Sequence, residues 1–150
     1  MKTTTALISG LLFACGTSTA TLEGILEGIE SGGLGLQPGI IRFADEPILI
    51  TVPPEAAVGT PIVIHLTTYG GGCMWKGPTE TTVTELTVIV APFDDVRIPD
   101  SGTICPAHIA TFKHSAEVTF ERAGEASVAV RGREWPGNES FERLFRVIVQ

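Results

Sequence analysis

The chain has 150 residues, of which 43% are hydrophobic and 18% charged, with a formal net charge of −7. That length suits a single domain. The acidic balance argues against nucleic acid, whose phosphates are neutralised by Lys and Arg, and against electrostatic adsorption to anionic lipid.

Met1 and Lys2 open the chain with one positive charge, and Ala6 to Ala14 follow as a nine-residue apolar run. A membrane span needs roughly 20 apolar residues, whereas the apolar core of a cleaved export signal has about 7–15. Leu12, Phe13, Ala14 and Cys15 close the run as an aliphatic residue, a spacer, a small residue and a cysteine. In this pattern the chain resembles a bacterial lipoprotein precursor. The resemblance implies a signal peptide over 1–14, a diacylglyceryl group on the Cys15 thiol, and acylation of the new amine. Several acyl chains anchor stably where one binds only marginally. Two other readings stay open: Ser18-Thr19-Ala20 offers an ordinary signal-peptidase cut that would discard Cys15, and the run could remain as an uncleaved tail.

Either cut exports the chain to an oxidising compartment and leaves Cys73 and Cys105, 32 positions apart. Disulfides persist there, and an even count points to a bridge. Reduced thiols or a metal site are the alternatives. Removing residues 1–14 takes away Lys2 and no acid, so the net charge becomes −8.

Residues 15–39 are read as a lipidated tether. Leu22, Ile25, Leu26 and Ile29 fall on one helical stripe among glutamates. Gly24 and Gly28 each cost about 1 kcal/mol relative to Ala in a helix, so a linker with some helical propensity is favoured over a docking helix. From Ile40 the pattern changes to period two. Ile48 to Val52 reads as a strand stopped by Pro53-Pro54, and Ile62 to Tyr69 as a second one. Thr82 to Phe93 forms a long β-branched run ended by Asp94-Asp95. Ala116 to Phe120, Ala126 to Val130 and Phe141 to Val149 complete the set. Short alternating strands between Gly and Pro clusters predict an all-β sandwich over 40–150.

Val118 to Arg131, read as a strand ending in Phe120, a turn at Gly124 and a second strand of small residues, resembles the penultimate hairpin of bacterial immunoglobulin-like domains. Pro53-Pro54 and Gly59-Thr60-Pro61 before a long strand are similar to the way such domains open. The resemblance implies an antiparallel immunoglobulin-like sandwich of about seven strands. Antibody-type domains bridge facing strands across the core. Here Cys73 follows Gly70-Gly71-Gly72 and Cys105 lies in the irregular stretch from Pro99 to Ala107, which places the bridge at one rim. Trp75 either packs over it or stands exposed in a loop.

Catalytic and metal motifs are thin. No Gly-x-Ser-x-Gly elbow is present, and the glycine run lacks the Lys-Ser pair of a phosphate loop. His108 and His114 flank an expected turn and His65 sits in a strand, with no His-x-x-x-His pair. Asn138-Glu139-Ser140 is a glycosylation sequon without a role in a bacterial lipoprotein. The expected function is that of a non-catalytic envelope lipoprotein with no cofactor, held to the membrane through its lipid, facing the periplasm or the cell surface. An envelope protein or a glycan is its expected partner. Two alternatives accompany it: a copper or zinc carrier using Met74 and histidines, and an enzyme using acidic loop residues Asp94, Asp95 and Asp100.

Overall fold

The computed structural model describes residues 35–97 and 104–150. Within them every regular element is a strand: β1 Gly35–Pro38, β2 Ile40–Phe43, β3 Ile50–Thr51, β4 Glu55–Ala56, β5 Ile62–Gly70, β6 Met74–Thr84, β7 Thr87–Val96, β8 Ala110–Val118, β9 Gly124–Trp135 and β10 Ser140–Val149. The protein is all-β, as the alternation predicts. The signal peptide, Cys15, the helical stripe and Asp100 lie outside the described residues.

The strands form one curled sheet, consistent with a two-layer sandwich. β6, β7, β9 and β10 lie side by side, with β4 on the far edge of β10. β8 and β3 flank β5 in the facing layer. β2 pairs with both β5 and β9 and so joins the layers. Alternate residues point inward, and Ile64, Leu66, Val88, Val90, Val118, Val128, Val130 and Val147 make one contiguous core. Burial of such side chains drives the collapse, each contributing about 1.5–3 kcal/mol.

Four details differ from the sequence reading. First, the run from Thr82 to Phe93 is the end of β6 and most of β7, turned at Glu85 and Leu86 so that Thr84 pairs with Thr87. Glu85 adopts a φ of 54°, a conformation that tight hairpins usually assign to Asn, Asp or Gly. Second, β8 and β9 are not a hairpin. β8 pairs with β5, and β9 with β7 and β10. The chain crosses between layers after β8, with the ring of Phe120 fully buried.

Third, the sheet is mixed and not purely antiparallel, since β2–β9, β4–β10 and β7–β9 run parallel. Parallel neighbours need a crossover, and for β7 and β9 the excursion through β8 supplies it. Fourth, the sheet starts five residues before the expected boundary at 40, because β1 pairs with the end of β7. The strand expected over Ile48 to Val52 keeps only two paired residues, as Pro53-Pro54 carries the chain from β5 towards β10. With these short N-terminal pieces and the extra hairpin, the described residues hold ten strands against the seven or so expected.

Gly39 is the pivot between β1 and β2. Its N–H donates to the Pro92 carbonyl at 2.8 Å, and its carbonyl accepts from Arg133 N–H at 3.0 Å. A Cβ there would lie 2.4 Å from Thr68 Cγ2 and 3.1 Å from Asp94 Oδ2. Gly39→Ala is expected to destabilise the fold by about 1–3 kcal/mol, the usual cost of overpacking. An unchanged urea midpoint would mean that Thr68 yields freely.

Candidate functional site

Even-numbered residues of β7 and β8 face inward, so Val88, Val90 and Asp94 share one buried row and His114, Ala116 and Val118 another. That parity puts two ionisable side chains in an apolar interior. Asp94 is 0% exposed and His114 1%. His114 Nε2 lies 3.1 Å from Asp94 Oδ1 and 3.1 Å from Thr68 Oγ1, and its Nδ1 lies 3.0 Å from Thr79 Oγ1. Thr68 comes from β5, Thr79 from β6, Asp94 from β7 and His114 from β8, so one imidazole connects four strands.

A carboxylate only accepts hydrogen bonds. Nε2–H therefore donates to Asp94, and in the neutral ring Nδ1 accepts from the Thr79 hydroxyl. Asp94 Oδ2 and Arg133 Nε have no hydrogen-bond partner among the described residues. Burial lowers the Arg133 pKa from its ordinary value, and the nearby Asp94 charge opposes that shift. Arg133 Nη1 donates to Asn138 Oδ1 at 2.8 Å, which occupies the sequon asparagine.

Carboxylate, imidazole and hydroxyl in sequence is the order that activates a nucleophile. In this chain the first two groups are sealed from solvent. A catalytic base must reach the proton that it abstracts from a substrate, and this imidazole is spent on the two layers it connects. Its geometry is that of a polar tie.

The structure brings Cys73 and Cys105 to disulfide distance, with Cα atoms 5.3 Å apart. Cys73 lies in the β5–β6 turn and Cys105 in the β7–β8 connection, so the bridge joins two loops at one rim. Trp75 is part of β6, not a loop, and is 47% exposed. The Arg97 guanidinium stands 5.5 Å from its ring centroid, and Arg97 also pairs with Asp95.

The remaining candidates do not assemble. Met74 Sδ accepts from Gly71 N–H at 3.4 Å, while His65 and His108 are exposed on separate elements. Among the described residues no three His, Cys, Asp or Glu side chains come together as a metal set. Asp94 and Asp95 are strand neighbours and project to opposite faces, so they cannot act on one substrate as a loop pair. Asp94 is a buried strand residue, which corrects its reading as a loop acid. His114 likewise lies within β8 and not beside a turn.

A second cluster went unread in the sequence. Phe43 stacks on Trp135 with centroids 6.2 Å apart and 4° between planes, and touches Tyr69 at 6.0 Å. Tyr69 donates its hydroxyl proton to the Pro47 carbonyl. Burial first, and the Glu46 charge second, raise its pKa above the ordinary 10.0. The folded chain thus holds this proton more tightly than the unfolded one. The resulting stabilisation is complete below pH 10.0 and is lost as pH rises through the folded value. Thermal midpoints should fall on the alkaline side and fall less steeply in Tyr69→Phe. Equal slopes for the two proteins would remove this assignment.

Comparison with protein-family models, with curated proteins and with solved structures finds no match to this chain.

Proposed function

We propose that the chain is an exported lipoprotein, acylated at Cys15, whose immunoglobulin-like β domain is a non-catalytic module for binding or assembly at a bacterial envelope. The observation that carries this reading is Leu12-Phe13-Ala14-Cys15 at the end of an apolar run too short to span a bilayer. Two features support it. The Cys73–Cys105 pair stands at disulfide distance, which suits an oxidising compartment. The most chemistry-like cluster, around His114, is closed to substrates. With a net charge of −8 after removal of residues 1–14, the partner is an envelope protein or a glycan, and the membrane is held by lipid.

Mass spectrometry of the membrane-extracted protein tests the anchor. An N-terminal Cys15 carrying acyl and diacylglyceryl groups is expected, with release of Cys15→Ser into the soluble fraction. An unmodified N-terminal Thr21 would refute the reading. A pull-down of the anchored protein from native membranes then identifies the partner.

A further inference from the structure

We propose that β10 is a self-association edge through which two copies of this chain join their sheets, antiparallel, about a twofold axis at Leu144. Each inner strand of the sheet is bonded on both edges. β10 is bonded to β9 over its whole length, but on its other edge β4 covers only Ile148 and Val149. Among the described residues no strand pairs with that edge from Ser140 to Val147. The Ile148 and Gln150 N–H groups turn towards β4, bonding Pro54 and Ala56 carbonyls at 2.9 Å each. Alternate residues present their main-chain groups to alternate edges. Glu142, Leu144 and Arg146 therefore offer theirs to the open side.

Open edges are usually guarded by charges that discourage pairing. In β10 the guarding side chains are complementary to themselves when reversed. With the axis at Leu144, Glu142 faces Arg146 of the second copy, Arg146 faces its Glu142, and the two Leu144 side chains meet. Arg143 falls opposite Phe145 of the second copy, the residue type over which it already lies at 5.5 Å within its own chain. An axis at Glu142, Arg143 or Arg146 would instead oppose like charges, which destabilises a pair of strands. An axis at Phe145 would set Leu144 against Arg146.

Existing ion pairs extend the match. Arg131 binds Glu142 at 2.6 Å and Arg146 binds Glu125 at 3.0 Å, all on the exposed face. Joining two copies would place these pairs in one row of alternating sign. It would also cover Leu144, which is 64% exposed, and add roughly six main-chain hydrogen bonds. β4 limits sliding towards the C-terminus. The inference stands whether or not Cys15 is acylated.

The test uses the full-length protein in detergent. Directly opposed, hydrogen-bonded residues have Cα atoms about 5.5 Å apart, within disulfide reach, so Leu144→Cys should form a covalent dimer under mild oxidation. Wild type and Thr82→Cys on β6 should not. In sedimentation experiments Glu142→Arg should weaken the dimer at least about tenfold, as expected when a close charge pair becomes a repulsion. Adding Arg146→Glu to it should restore association, a rescue that a merely damaged fold would not show. A monomer at every concentration, equal crosslinking at Thr82→Cys, failure of the charge swap to rescue, or capture of a different protein at Leu144→Cys would each overturn the proposal.

Discussion

His114→Ala is expected to lower the unfolding free energy by about 3 kcal/mol, the upper end of the usual cost of leaving a buried acceptor without its hydrogen-bond partner. The imidazole is the hydrogen-bond partner of Asp94 Oδ1, and Oδ2 has none among the described residues. Its removal strands a carboxylate that is 0% exposed and leaves the Thr68 and Thr79 hydroxyls without their shared acceptor or donor. It also opens a cavity between β5, β6, β7 and β8. Asp94→Ala should cost a similar amount for the complementary reason.

The double variant Asp94→Ala/His114→Ala should cost clearly less than the sum of the two, because residues in one network couple by about 0.5–3 kcal/mol. Urea unfolding of the four proteins gives this directly. Strict additivity, or a His114→Ala cost below about 1 kcal/mol, would show that the imidazole does not tie the layers together.

Loss of the Cys73–Cys105 bridge is expected to cost about 3–4 kcal/mol on the loop-entropy account, for cysteines 32 positions apart in sequence. The bridge closes the β6–β7 hairpin between its two ends: Cys73 precedes β6 and Cys105 follows β7. Without it the long β7–β8 connection loses its covalent hold on the rim, where Arg97 N–H also donates to the Cys73 carbonyl at 3.1 Å. Unfolding of Cys73→Ser/Cys105→Ser against wild type, both without reductant, measures the effect. Equal midpoints, or two titratable thiols from this pair in denatured unreduced protein, would count against a bridge.

The strands of the core were legible because burial on one face leaves a period of two in the chain. Ile62 to Tyr69 shows it over eight residues, and β5 spans Ile62–Gly70. The end strand beginning near Phe141 was legible for the same reason. The β6–β7 turn was not, because Glu85 and Leu86 lack the small or glycine residues that mark a hairpin, and the flanking threonines and valines read straight through. The polar tie was hidden for a different reason. Thr68, Thr79, Asp94 and His114 come from four strands, and no local pattern links them. Asp94 beside Asp95 reads as a strand stop. Its burial depends on a partner 20 positions away.

The sequence by itself determined the all-β class, the acidic charge, the count of three cysteines, and the short apolar start that closes at Cys15. All of these are local or compositional properties, set by neighbouring residues or by simple counts. Only the tertiary structure decided which strands are neighbours, that three pairings run parallel, and that His114 and Asp94 meet inside the domain. It also decided that, among the described residues, no strand pairs with the outer edge of β10 from Ser140 to Val147. Those outcomes depend on long-range pairing and on which side chains find partners once water is excluded, and that information is spread over the whole chain.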